Sequence, residues 1–281
     1  MIGKLYLCAT PIGNLEDITL RVLKTLKEVD LIAAEDTRNS IKLLNHFEIR
    51  TPMTSYHEYN RYDKAKYLVE KMLSGTNVAL ITDAGTPGIS DPGEELVKQC
   101  IEAGISVTSL PGASAVLTAL TISGKSTRRF AFEAFLPPDK KERALILEEL
   151  KKETRTIVLY EAPHHLVRTL AELKNTLGDE REVSVVKELT KRYESCFRTT
   201  LKEAVTYYEE NEPKGEYVIV ISGKSFEDIA MENVKQWEEM TISEHYDFYI
   251  NQGKESKEAM KLVAKDRNIS KRDVYSVICI K

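Results

Sequence analysis

The chain has 281 residues, 42% of them hydrophobic and 30% charged, with a formal net charge of −4. This is enough apolar material for a buried core and suits about two domains, while the slightly acidic balance excludes a protein that holds bare nucleic acid through an overall positive field. No run of about 18 apolar residues predicts a membrane span and the opening stretch is too short for a secretory signal. Cys8, Cys100, Cys196 and Cys279 lack metal-ligand or Cys-x-x-Cys spacing, so free thiols, a cytoplasmic location and no metal site are expected.

Apolar runs at residues 4–10 and 29–34 alternate with amphipathic stretches at 20–27 and 39–47, a rhythm that predicts a parallel α/β sheet. The runs at 78–82 and 105–110 are nearly continuous in apolar residues, as expected of strands buried on both faces. Between them Leu96, Val97, Cys100 and Ile101 recur at helical spacing. After residues 112–123 the pattern restarts with a phenylalanine-rich strand at 129–136, a Pro137-Pro138 break and a charged helix at 139–152. Strand-like runs follow at 156–160, 183–188, 196–200 and 217–222, which predicts a second α/β domain starting near Gly124. From about residue 226 only helical patterns remain. Ala259, Met260, Val263 and Ala264 share one helical face, and Ser270 is placed to cap a helix through residue 278. Two short helices joined by a tight turn predict a helix-turn-helix-like module. The expected organisation is an N-terminal α/β domain at 1–123, a second at 124–225 and a helical module at 226–281.

Glycine-containing segments follow the predicted strands, where open α/β sheets form their ligand crevices. The first, Ala9-Thr10-Pro11-Ile12-Gly13-Asn14-Leu15, is not Gly-x-Gly-x-x-Gly, which disfavours a dinucleotide site, and a plain turn would use the same residues. The second, from Thr82-Asp83-Ala84-Gly85-Thr86-Pro87 to Asp91-Pro92-Gly93, holds three glycines that let backbone approach a ligand. Asp91 has a ready role as a helix cap; Asp83, at the strand end, does not. The third, Leu110-Pro111-Gly112-Ala113-Ser114-Ala115, leads into a helix through small residues, and Ser114 equally suits a cap. None of these is a phosphate-binding P-loop.

In this order, the segments resemble the tetrapyrrole methylase superfamily. Ala34-Glu35-Asp36-Thr37-Arg38, Ser55-Tyr56-His57-Glu58, Tyr160-Glu161-Ala162-Pro163-His164 and Lys187-Glu188-Leu189-Thr190-Lys191 narrow the likeness to its ribosomal RNA small subunit methyltransferase I branch. The resemblance runs from about Leu5 to Ser222, and the helical tail also fits. It implies two tandem α/β domains with S-adenosylmethionine in the cleft between them, a small-subunit ribosomal RNA substrate methylated at a cytidine 2′-hydroxyl in the decoding region, and a homodimer. It also implies that Pro11, Asp83, Ala84, Gly85, Ile89, Ser114 and Ala115 belong to the cofactor site, with Leu136, Tyr160, Glu161, Ala162 and Gly215 on its adenosine side. The chain departs from the family's pattern at His165, where an arginine is expected, which leaves a cationic role there open.

A ribose hydroxyl is a poor nucleophile at neutral pH, so a base or a cation at the developing alkoxide should help. Asp36, Glu161, Lys187 and Glu188 are the candidates by position. Plainer roles are open as well, Glu161 or Glu188 as an acceptor of backbone donors at a strand end and Lys187 as an ion-pair partner on a solvated face. Arg38, His57, Asn60, Lys191 and Arg192 are the side chains suited to phosphate and base contacts. From residue 253 to the end, eight Lys/Arg stand against four Asp/Glu, a local balance of +4, which suits either RNA docking or packing of a small helical domain. Two other readings are a methyltransferase of this fold acting on a tetrapyrrole or protein acceptor, and a noncatalytic RNA-binding assembly factor.

Overall fold

The structure, a computed structural model, describes residues 1–225, 227–229, 237 and 239–279. Residues 1–151 and 155–222 form one compact unit; residues 152–154 and 223–281 form the other.

The larger unit begins with a five-stranded sheet. Its elements in chain order are β1 (Lys4–Cys8), α1 (Leu20–Glu28), β2 (Leu31–Ala34), α2 (Thr37–His46), β3 (Met53–Ser55), α3 (Arg61–Leu73), β4 (Val78–Ile81), α4 (Gly93–Glu102), β5 (Ser106–Leu110) and α5 (Ala115–Ser123). The strand order is β3-β2-β4-β1-β5 and every pairing is parallel. Alternation along β4 sends Leu80 into the core with Leu5, Leu68 and Leu96, while Ala79 and Ile81 join Val22, Leu26 and Ile32 on the opposite face. Such burial on both faces is what a central parallel strand requires.

The same expectation fails for β5. It lies at the sheet edge with only β1 beside it, and Ser106 and Ser109 are exposed. An edge position relaxes the need for apolar residues on both faces. Strand β3 is not among the expected strands, because three residues carry too little periodicity to announce themselves.

The second sheet comprises β6 (Phe130–Ala134), β7 (Thr156–Glu161), β8 (Glu182–Lys187), β9 (Ser195–Thr200) and β10 (Tyr217–Ile221), with α6 (Lys140–Leu150), α7 (Leu166–Leu177) and α8 (Leu201–Glu210) between strands. Its order is β6-β7-β10-β8-β9; only β6 and β7 are parallel, and the other pairs are antiparallel. One face buries Ile157, Leu159, Val183, Val185 and Ile219 against Leu147, Leu170, Leu173 and Leu201. The other buries Val158, Val186, Val218 and Val220 against Val116, Ala119 and Leu120 of α5. The last helix of the first half therefore lies on the second sheet, and its N-terminus opens where the loops of both sheets meet.

In the smaller unit, α9 (Ile242–Asn251), α10 (Ser256–Asp266) and α11 (Lys271–Cys279) surround Met260, Val263, Ala264 and Val274. Thr241 and Glu244 form a capping box at the start of α9, and Ser270 Oγ accepts the Asp273 amide at 3.1 Å ahead of α11. Residues 267–270 make the tight turn between α10 and α11. His245 is fully buried and stacks on Trp237 with ring centroids 3.9 Å apart. Residue 226, where the helical tail is expected to begin, lies outside the described residues.

Candidate active site

The carboxyl ends of the parallel strands carry the site. A cleft of about 550 Å³ is lined by Thr82–Thr86 and Ile89–Asp91, by Ser114 and Ala115, and by Phe135, Tyr160–Pro163, Val186, Leu189 and Glu216–Val218. Its volume lies within the range of about 300–1,000 Å³ usual for small-molecule sites.

The loop after β4 is wound around one carboxylate. Asp91 accepts from the amides of Gly88 at 2.8 Å, Ile89 at 3.0 Å and Gly93 at 2.7 Å. This extends the capping role expected of Asp91, because the same side chain fixes the loop and the first amide of α4. Ser90 sits in the left-handed region at φ 63°, a strain that persists only where surroundings enforce it. Gly85 (φ 85°) exchanges backbone hydrogen bonds with Thr10 at 2.9 and 3.0 Å, which ties the first glycine segment to the second. A Cβ on Gly85 would lie 3.3 Å from Ile12.

The opposite wall is aromatic. The Tyr160 hydroxyl accepts from the Val116 amide at 3.1 Å, so it occupies one of the unpaired donors at the start of α5. Its ring meets Phe132 and Phe135 edge-on at 4.9 and 5.7 Å. Burial raises the Tyr160 phenol above its ordinary range, and the Val116 amide only partly offsets this. Beside it the buried Glu161 accepts from Thr169 Oγ1 at 2.5 Å and from the Ala162 amide at 2.8 Å. Arg143, also buried, donates to Thr169 Oγ1 at 2.7 Å and to Glu172 at 2.6 Å.

Of the residues expected at the cofactor, Asp83, Ala84, Gly85, Ile89, Ser114, Ala115, Tyr160, Glu161 and Ala162 line this cleft. Pro11 instead lines a neighbouring cavity. Leu136 is turned into the hydrophobic core and Phe135 takes the cleft position beside it. Gly215 lies outside the lining, next to Glu216 in the chain; its φ is 87° and a Cβ there would meet the Glu188 carboxyl at 2.5 Å.

The four candidates for proton handling are not gathered at one point. Glu161 lines the cleft. Asp36 caps α2, and its carboxylate accepts from the Arg38 amide at 2.8 Å and from the Arg38 guanidinium at 2.8 and 3.1 Å. That pairing with Arg38 lowers the Asp36 carboxyl to about 2. Glu188, at φ 50°, accepts from Lys191 at 3.0 Å and from the Glu216 amide at 2.9 Å. Burial opposes its ionisation, yet these donors hold its carboxyl below the ordinary range. Lys187 ends β8, paired in register with Tyr217 and Ser195.

Among the side chains expected to face RNA, Arg38 is 88% exposed and Arg192 lies over the Tyr193 ring at 5.6 Å. Lys191 is taken up by Glu188 and Glu216. His57 and Asn60 close a short turn on each other, the His57 amide donating to Asn60 Oδ1 at 2.8 Å.

Glu35, Asp91 and Glu216 also line the cleft, beyond the residues expected at the cofactor; Glu35 and Asp91 lie within the motifs noted in the sequence, and Glu216 lies in none. The cleft lining holds five carboxylates, Glu35, Asp83, Asp91, Glu161 and Glu216, and no Lys, Arg or His. Burial raises the Glu35 carboxyl, with Asp83, Asp91 and Asp36 adding to the effect against the Asp83 amide. A cleft of this kind favours a ligand that brings positive charge. The aromatic wall and the backbone donors at the start of α5 suit a flat ring and an anionic group respectively.

The model of the tetrapyrrole (corrin/porphyrin) methylase family matches residues 4–205. The ribosomal RNA small subunit methyltransferase I of Bacillus subtilis (strain 168) is 48% identical over 280 residues, covering 100% of this chain and 95% of the relative. Its counterpart in Halalkalibacterium halodurans is 49% identical over 275 residues, covering 98% and 94%. Among solved structures, uroporphyrin-III C-methyltransferase of Thermus thermophilus in complex with S-adenosylhomocysteine shares the fold, with a TM-score of 0.57 at 20% identity over 78% of this chain and 97% of that one.

Proposed function

Because the chain belongs to the tetrapyrrole methylase family, and within it to the ribosomal RNA small subunit methyltransferase I proteins, we propose that it methylates a cytidine ribose at its 2′-hydroxyl in the decoding region of small-subunit ribosomal RNA. The observation that carries the cofactor assignment is the cation-free, carboxylate-lined cleft with an aromatic wall. S-Adenosylmethionine brings a sulfonium, an ammonium, a carboxylate and a flat purine, and each has a complement there.

When bound, that cofactor supplies a methyl group already attached to an excellent leaving group, so the protein's share is positioning and proton handling. We assign Asp83, Ala84, Gly85 and Ile89, with Ser114 and Ala115, to the methionine portion, and Tyr160, Glu161 and Ala162 to the adenosine. Phe135 takes the place expected of Leu136, and Gly215 acts by letting Glu188 and Glu216 close the turn beside the cleft. Glu161 is fixed by Thr169 as an acceptor for a ligand N–H or O–H. Asp36 and Glu188 position their loops, and Lys187, between the cleft residues Val186 and Leu189 in the chain, is proposed as a cation at the rim of the cofactor cleft. Arg38, Arg192, His57, Asn60 and the +4 tail are proposed RNA contacts; Lys191 contributes by holding Glu188.

The domain limits 1–123, 124–225 and 226–281, a homodimeric assembly and a cytoplasmic location belong to the same proposal. No helix among the described residues is long and apolar enough to cross a membrane. The test is transfer of labelled methyl from S-adenosylmethionine to small ribosomal subunits from a strain lacking this protein. Label in the RNA is the expected result. Cofactor binding without labelled RNA would move a tetrapyrrole or protein acceptor to the front.

A further inference from the structure

A second cavity, of about 350 Å³, is lined by Thr10, Pro11, Gly13 and Leu15 from the first glycine loop and by α2, and it shares Thr82 and Asp83 with the cofactor cleft. Helix α2 presents Asn39, Lys42, Leu43 and His46 to it, positions i, i+3, i+4 and i+7 that form one stripe. Its core stripe centres on the buried Leu44, and the buried Ser40 lies between the two stripes, also lining the cavity. A helix in such a fold needs only one apolar stripe against the sheet. The second stripe, in which Asn39, Lys42 and His46 accompany Leu43, faces the cavity instead.

Charge distinguishes the two cavities. The cofactor cleft has five carboxylates and no cationic side chain, whereas the second has Lys42 and His46 and a single carboxylate, Asp83, at the shared end. Among the described residues neither Lys42 nor His46 has an ion-pair partner. Asn39 Nδ2 donates to Asp83 at 3.2 Å, which joins the α2 stripe to the shared carboxylate. Gly13 (φ 155°) lets the opposite rim close, since a Cβ there would meet the Lys191 stem at 2.5 Å and the Thr190 hydroxyl at 2.8 Å. The volume sits at the lower end of the range of about 300–1,000 Å³ for ligand sites.

We propose that this second cavity is the acceptor-nucleotide site. One nucleotide turned out of the RNA enters it, with its phosphate toward Lys42 and His46 and its ribose toward Asp83, where the two cavities meet. A pocket that adjoins the cofactor cleft would hold one nucleotide so that its 2′-hydroxyl meets the methyl group in line. The inference rests on the ribosomal RNA reading above and adds the place where the substrate is held.

The test compares the wild type with Lys42→Glu, Lys42→Arg and His46→Ala, all at exposed positions, in methyl transfer to unmodified small subunits and in calorimetric binding of S-adenosylmethionine. Lys42→Glu should raise KM for the subunit about tenfold or more at moderate salt, since it reverses a phosphate contact. His46→Ala should raise KM several-fold, and Lys42→Arg should restore it. Cofactor affinity should stay within about twofold throughout. Unchanged KM in both Lys42→Glu and His46→Ala, or a matching loss of cofactor affinity, would overturn the assignment. Failure of the wild type itself to label RNA would remove the parent reading and this inference with it.

Discussion

Thr169 donates its hydroxyl proton to the Glu161 carboxylate at 2.5 Å while accepting from Arg143 at 2.7 Å. All three side chains are buried, and Arg143 also holds Glu172. A buried guanidinium and a cleft carboxylate are thereby linked through a neutral hydroxyl. Thr169→Val keeps the volume but removes both bonds, so it should destabilise the fold by roughly 1–3 kcal/mol and weaken S-adenosylmethionine binding. Thr169→Ser should restore both. Urea unfolding and calorimetry read the two effects; a Val variant with wild-type stability and affinity would refute the link.

Gly215 is required by its neighbour as well as by its backbone. Gly215→Ala places a methyl in the left-handed region and within 2.5 Å of the Glu188 carboxyl. Gly178 has φ 102° with open space around its Cβ position. Alanine at 178 should cost about 1–3 kcal/mol for the backbone alone, and alanine at 215 should cost more, with the turn of residues 188–191 displaced. Equal unfolding midpoints for the two variants would contradict this.

Acid should loosen the same turn. The folded Glu188 carboxyl lies below its ordinary value of 4.5 because the Lys191 ammonium and the Glu216 amide outweigh burial. Its stabilising contribution is therefore complete above about pH 4.5 and is lost as pH falls through the lower folded value. Unfolding midpoints measured from pH 7 down to pH 3 should fall less steeply in Glu188→Gln than in the wild type. Parallel curves would show that the carboxylate adds nothing in this window.

Glu35 works in the opposite sense. Burial, reinforced by Asp83, Asp91 and Asp36, raises its carboxyl. The ionised form is thus penalised in the fold, and the penalty is complete at neutral pH, above the raised value. Glu35→Gln should stabilise the ligand-free protein at pH 7 and weaken S-adenosylmethionine more than its uncharged thioether product. Equal weakening of the two ligands would detach Glu35 from the sulfonium.

Much of this was legible because it rests on local rules. The buried strand β4, the Ser270 cap and the glycine loop with Asp83 follow from periodicity, capping preference and backbone freedom. Of the twelve residues expected at the cofactor from the ordered motifs, nine line the cleft. What escaped depends on sequence-distant neighbours. The edge position of β5 is set by strand order, which no single run reveals. Leu136 and Phe135 exchange roles because β6 changes register between Phe132 and Ala134, with Ala134 in the left-handed region at φ 51°. Asp36 reads as a chemical candidate until Arg38 is seen folded back on it. The pairing of Arg143 with Thr169, 26 residues apart in the chain, leaves no sequence pattern.

The most direct measurement is to map the methyl group itself. Small-subunit RNA labelled by this protein would be digested to nucleosides and oligonucleotides and analysed by mass spectrometry. A single 2′-O-methylcytidine in the decoding region is the expected product. Label on a base, on another nucleotide or on protein would contradict it.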